Sequence, residues 1–252
     1  MIKLLPLIIW LHLLVPTEVN ELPQVRVYDY EVQRAQMDGM IVPHHDLASQ
    51  MIETMYKRVA SEPKSILLIS PDHNLDGNRK ITLSRRPWAN TYDQVWIDQN
   101  LCERLLSLDF VHEDHYEIEI EHGLNIHMAY ISKYFQAKVT PVMISKETSI
   151  EELNDFIQLI PDDIFVIASV DFSHYKSRQE AYLNDEFSLE LLRANRKNDL
   201  FIMSDAYFDS PHCIYVMMTL YKDWTLYEHK NSSDYISNDY HTTSYMNIGF
   251  KQ

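Results

Sequence analysis

Three short apolar runs each break off at an imidazole, and that coincidence limits the folds open to this chain more than any other feature. Met40-Ile41-Val42 leads through Pro43 into His44-His45-Asp46, and Ser65-Ile66-Leu67-Leu68-Ile69-Ser70 leads into Pro71-Asp72-His73. Ile164-Phe165-Val166-Ile167-Ala168-Ser169-Val170 leads into Asp171-Phe172-Ser173-His174. Runs of this length, rich in β-branched residues, read as strands buried on both faces, the habit of a parallel sheet. In open α/β sheets the crevice beyond the strand carboxyl ends takes the ligand. Three strands that deliver a His or an Asp/His pair to that edge predict one polar site, with metal binding as its chemistry.

The segments between these runs read mostly as helices and further strands. Leu47, Met51, Met55 and Val59 share one face of a helix over about 46–60. Asp98 is a candidate N-cap for a helix to about 108. Residues 117–135 carry Ile120, Leu124, Met128 and Ile131 at helical spacing, and 139–144 is a strand. Ser149 and Glu152 stand in capping-box spacing at the start of the next helix. Helices over about 178–195 and 212–222, a short extended piece at 201–203, and strand-like runs at 225–229 and 242–250 complete the chain. Such alternation predicts a single α/β domain over 23–252: three layers, a mostly parallel sheet with helices on both faces.

Composition excludes several functions. A formal net charge of −15 argues against nucleic acid and anionic membrane surfaces as partners. Two cysteines, Cys102 and Cys213, make no disulfide framework and no paired zinc motif. With four glycines in 252 residues there is no glycine-rich phosphate loop. Residues 4–15 are almost wholly apolar behind Lys3, like the core of a secretory signal, yet shorter than the roughly 20 residues of a membrane span. Residues 1–22 are therefore expected to be a signal peptide or N-terminal anchor, and the protein to be exported or membrane-associated rather than cytoplasmic. The alternative is an N-terminal strand or helix buried in the domain.

Of the twelve histidines, His12, His112, His115 and His229 stand in ordinary polar or signal-like contexts. His44 and His73, each just past a strand, are the leading metal ligands. Imidazole suits Fe, Zn, Cu or Ni, and two histidines with one carboxylate form the open set of non-heme Fe(II) oxygenases. His122 and His127 lie five positions apart, about 140° on a regular helix. One of them, His122 beside Glu121, is expected to line the site while the other packs against the sheet. Asp171 and His174, on the turn leaving the third strand, are candidate acid/base residues. Asp209, ahead of the helix begun by His212 and Cys213, is either an N-cap or a ligand.

In order, Val42-Pro43-His44, Ser70-Pro71-Asp72-His73, residues 121–130 (Glu121-His122-Gly123-Leu124-Asn125-Ile126-His127-Met128-Ala129-Tyr130), Ser169-Val170-Asp171-Phe172-Ser173-His174-Tyr175 and Thr243-Ser244-Tyr245-Met246-Asn247-Ile248-Gly249-Phe250 form a series. Over roughly 39–250 it resembles the Memo proteins, called AmmeMemoRadiSam system protein B in bacteria and archaea. The resemblance implies an α/β fold like that of the class III extradiol dioxygenases, which open catechol rings at non-heme iron. It also implies His44 and His73 as metal ligands and His174, with Asp171, at the acid/base position. The family's third ligand is a cysteine. Counting back from Ile214-Tyr215-Val216-Met217-Met218, its position falls on Asp209 here, with Cys213 four residues on as the alternative. The implied metal is Fe(II), with Zn or Cu as alternatives. The implied partners are a small-molecule or protein ligand and, in microbes, radical-SAM and AMMECR-type proteins; Memo-like proteins are associated with signalling interactions in animals. A departure is His45-Asp46-Leu47, which stands where the family has a glycine after its first motif.

Overall fold

The computed structural model describes residues 32–74, 79–89 and 94–252. By contact the chain divides at Glu31/Val32, and every element below belongs to the second unit. The strands are β1 (Gly39–Val42), β2 (Ser65–Pro71), β3 (Ile81–Leu83), β4 (Trp88–Ala89), β5 (Gln94–Val95), β6 (Val111–Glu113), β7 (Lys138–Ile144), β8 (Phe165–Ser169), β9 (His174–Lys176), β10 (Asp223–Asn231) and β11 (Thr242–Lys251). The helices are α1 (Ser49–Arg58), α2 (Gln99–Leu105), α3 (His115–Ile120), α4 (His122–Tyr134), α5 (Ile150–Gln158), α6 (Arg178–Arg193) and α7 (Pro211–Leu220).

Nine strands form one mixed sheet in the order β10-β11-β1-β8-β2-β7-β3-β6, with β9 against β11. Its centre, β1-β8-β2-β7, is parallel. Alternation along these strands sorts their side chains to two faces. Ile41, Leu67, Ile69, Val166 and Ala168 join the core on the α2, α5, α6 and α7 side. Met40, Val42, Ile66, Leu68, Phe165 and Ile167 join the core on the α1 and α4 side. That is the three-layer α/β arrangement expected from the apolar runs. Burying each large apolar side chain contributes roughly 1.5–3 kcal/mol, so these two cores are what hold the sheet edge in place.

Several local expectations are met in detail. Asp98 caps α2 by accepting from Leu101 N–H, and Ser149 and Glu152 form a reciprocal capping box on α5. The sequence leaves the strand order open: β8 lies between β1 and β2 and pairs with both. Other expectations differ. The helix expected over 117–135 is two helices, broken at Glu121, whose backbone is extended (φ −71°, ψ 111°). Of the piece expected to be extended at 201–203, Phe201 and Ile202 belong to a 3₁₀ turn over Lys197–Ile202 and only Met203, its C-cap, is extended; a run of three apolar residues has no period to separate the two states. The N-cap of α7 is Ser210 rather than Asp209.

The expectation of export or membrane attachment is corrected. Among the described residues no helix is long and apolar enough to cross a membrane, and the apolar run 4–15 that suggested a leader or anchor lies outside the described residues, as does His12.

Candidate metal centre

The three central strand ends bring their polar residues to one place. Val42 at the end of β1 is in register with Ser169 at the end of β8, so His44 and Asp171 leave the sheet side by side. His44 N–H donates to Asp171 Oδ1 at 3.0 Å. His73 leaves β2 on the other side of β8, and its ring centroid lies 4.9 Å from that of His44. Asp209 arrives just ahead of α7. It is tied to Asp171 twice, its N–H donating to Asp171 O and its Oδ2 accepting from Asp171 N–H, each at 3.1 Å.

The tautomers follow from the neighbours. Ser169 Oγ–H donates to Gly123 O at 2.8 Å, so its oxygen accepts from His44 Nδ1–H at 3.0 Å. His73 Nδ1 lies 2.6 Å from Glu121 Oε1, and an ionised carboxylate can only accept. Both rings therefore carry the proton on Nδ1 and present the Nε2 lone pair to the cluster. Metal-binding histidines are held in just this way, with the second nitrogen donating to a carboxylate or other acceptor. Glu121 is fully buried. Burial opposes its charge, but the hydrogen bond from His73 Nδ1–H, with the amides of Gly123 and His73, holds it below the usual carboxylate range.

The free Nε2 of His44 then faces oxygen: Asp209 Oδ2 at 3.2 Å and Asp171 Oδ2 at 3.8 Å. His73 Nε2 lies 4.0 Å from the same Asp209 oxygen. Burial, and then for Asp209 the neighbouring charge of Asp171, raises both carboxylates above their ordinary values. Burial above all pushes His44 well down, so this imidazole does not supply a cation. Among the described residues the ion-pair partners of these two carboxylates are His44 and His73. Asp209 Oδ1 is buried with no hydrogen-bond partner. Lone pairs converging on buried carboxylates leave room for one kind of occupant, a proton or a cation. The residues present fit a divalent metal.

Within this cluster two sets of donors have all their ligand atoms within 4.8 Å of one another: His44, His73 and His122, and His44, Asp171 and Asp209. The set read from the sequence, His44, His73 and Asp209, takes members from both. His122 opens α4, and its ring lies 4.1 Å from that of His73 and 5.0 Å from that of His44. His127 is buried on the far side of α4 against Tyr56, whose hydroxyl lies 3.1 Å from its Nδ1. The break at Glu121 explains how the two part: His122 is the first residue of the second helix rather than the middle of a long one.

His174 begins β9 rather than a free turn, and its N–H donates to Asp205 O at 2.9 Å. Its Nδ1 is buried without a partner. Burial lowers its pKa against the pull of Asp171 and Asp205. It lies outside both close donor sets. Cys213 is fully buried in the core on the α7 side; burial pushes its thiol far up, and it is in neither set. A cleft of about 550 Å³ opens beside His73 and Asp209, with Lys146, Phe201, Met203 and His212 among its walls.

Two residues that the sequence reading passed over hold the cluster together: Glu121 and Ser169. Gly123 is a third. A Cβ there would stand 2.3 Å from Ser70 Oγ and 3.0 Å from Ser169 Oγ, so only glycine lets α4 approach the strand ends this closely. Gly123→Ala is expected to destabilise by about 1–3 kcal/mol through overpacking. Adding Ser70→Gly should return part of that loss in a double-mutant cycle read by urea unfolding; strictly additive effects would mean the clash is relieved elsewhere.

A family model described as Memo-like protein matches residues 17–248. A "MEMO1 family protein" of Aquifex aeolicus (strain VF5) is 23% identical over 199 residues, covering 75% of this chain and 74% of that one. One from Pyrobaculum arsenaticum (strain DSM 13514 / JCM 11321 / PZ6) is 23% identical over 233 residues, covering 84% and 83%. Among solved structures, uncharacterized protein JW3007 from Escherichia coli K12 superposes with a TM-score of 0.55 at 12% identity, over 85% of this chain and 100% of that one. A likeness at that identity concerns the fold alone.

Proposed function

The chain belongs to the Memo-like protein family, and from that premise we propose that it is a divalent-metal protein, with an iron site resembling that of the class III extradiol dioxygenases. One observation carries the reading. A buried imidazole, His44, and a half-buried one, His73, each with Nδ1 engaged, turn Nε2 toward an Asp209 carboxylate that has one oxygen buried and unpaired. His44, His73 and Asp209 would hold Fe(II), a set suited to that ion; Zn and Cu are the alternative ions for the cluster. Bound there, the ion would supply Lewis-acid and redox chemistry to a substrate in the adjoining cleft.

The chain's own part is to bind, orient and move protons. His174, kept neutral at pH 7 by burial, is assigned the role of proton acceptor, as acid/base chemistry near neutral pH requires. Asp171 holds the backbone of His44 and its charge acts on His174. Lys146 and Phe201 on the cleft wall would meet an anionic or aromatic part of the substrate.

The test is metal content after anaerobic purification. Wild type is expected to hold close to one ion per chain, and His44→Ala and Asp209→Ala to bind at least tenfold more weakly. Unchanged content in both variants defeats the assignment. Oxygen uptake with a panel of catechols then separates an enzyme from a binder.

A second reading is a protein-interaction or assembly module that keeps the fold. It draws on the exposed Tyr182, Leu183 and Tyr240, which border a hollow of about 650 Å³ beside the start of α6. The radical-SAM and AMMECR-type partners implied by the resemblance belong to this reading. Metal-loaded protein without oxygen uptake would favour it.

A further inference from the structure

His44 is shared between two donor sets of different chemistry. With His73 and His122 it makes three imidazoles; with Asp171 and Asp209 it makes one imidazole and two carboxylates. We propose that these are two alternative metal seats that sort ions by type. A borderline ion such as Zn(II) or Cu(II) takes the imidazole side, with His122 as its third ligand, and a hard ion such as Mn(II) takes the carboxylate side. This rests on the reading above that the cluster binds a divalent metal, and it reassigns the donors for Zn(II) and Cu(II): the Fe(II) set takes Asp209 from the carboxylate flank, whereas these ions sit wholly on the imidazole flank.

The seats exclude one another. His44 Nδ1 is occupied by Ser169, so a single lone pair, on Nε2, serves whichever ion is bound. Each flank also has its own support. Glu121 Oε1 lies 2.6 Å from His73 Nδ1 and 3.4 Å from His122 Nδ1, so one buried carboxylate backs both outer imidazoles. Asp171 and Asp209 are instead fastened to each other through their backbones. His122 is the mobile member in chemical terms: its side chain is 59% exposed, against 4% for His44, and it can move toward or away from an ion without repacking a core. Nitrogen donors favour Zn, Cu and Ni, and oxygen donors favour Mn and Mg, so the two flanks differ in the ion they prefer.

Zn(II) and Mn(II) titrated separately into the full chain test this, with a chelator competing for Zn(II) and electron paramagnetic resonance reporting free Mn(II). His122→Ala should weaken Zn(II) at least tenfold and change Mn(II) by less than twofold; Asp209→Asn should do the reverse. Zn(II) should displace Mn(II) one for one. Cu(II) on wild type should show three coordinated nitrogens in its hyperfine pattern and two in His122→Ala, a comparison that needs no variant of the buried carboxylates. An unchanged Zn(II) affinity and Cu(II) pattern in His122→Ala overturns the proposal. So does Asp209→Asn weakening both ions equally, or simultaneous binding of both. Wild type that binds neither ion instead defeats the metal reading itself.

Discussion

Glu121→Ala is expected to lose about 3–5 kcal/mol of stability and 10–100-fold in metal affinity together. Glu121 accepts from His73 Nδ1–H at 2.6 Å, from His73 N–H at 3.2 Å and from Gly123 N–H at 2.9 Å. Truncation leaves these donors without a partner in a buried place, and each unsatisfied donor costs roughly 1–3 kcal/mol. Water entering the space returns some of that, which sets the lower end of the range. The affinity loss has a separate origin: without the carboxylate His73 is free to change tautomer and rotate, and removing such an orienting partner typically weakens binding 10–100-fold. Glu121→Gln separates the two. Its amide oxygen still accepts, but its NH₂ faces N–H donors, so stability should fall by less than in the alanine variant while affinity still drops. Urea unfolding of the metal-free protein and Zn(II) titration read the two effects. An alanine variant within about 0.5 kcal/mol and twofold of wild type would reduce Glu121 to a replaceable helix cap.

What could be read from the chain, and what could not, divides along the range of the interactions. β1, β2 and β8 were legible because a strand buried on both faces writes itself as an unbroken apolar run. Their order was not. That β8 lies between β1 and β2 depends on pairing across more than 90 residues, as in Ile66 with Phe165, and it is this insertion that puts Asp171 and Ser169 between the two histidines. The break at Glu121 was hidden by apolar spacing that runs through both α3 and α4. The signal for it was the pair Glu121 and Gly123, since a carboxylate two residues before a glycine amide is a ready cap. The choice between Asp209 and Cys213 could not be made by counting, because four residues of uncertainty is one helical turn. Helix phase separates them: Cys213 lies within α7 and faces the core, while Asp209 precedes the cap and faces the strand ends.

Burial also makes the stability of the metal-free protein depend on pH, and His127 isolates the part of it that is lost in acid. It is fully buried, with its Nε2 unpaired. Burial pushes its pKa from 6.5 to about 3. The folded pKa lies below the unfolded one, so the unfolded chain takes up the proton first. Nothing is lost above pH 6.5, and between 6.5 and about 3 stability falls by about 1.4 kcal/mol per pH unit. At pH 5 that is about 2 kcal/mol. Asp171 and Asp209 act with the opposite sign: their raised pKa values withhold stability at neutral pH and return it as they protonate. The net curve of wild type is therefore a contest between the two, and a difference between proteins is the clean measurement. His127→Gln keeps an acceptor for the Tyr56 hydroxyl but cannot titrate. Urea unfolding of metal-free wild type and variant at pH 7, 6 and 5 should show the wild type losing about 2 kcal/mol more than the variant between the ends of that series. Parallel losses would mean that the buried imidazole gains its proton as easily folded as unfolded, which its surroundings forbid unless water reaches Nε2.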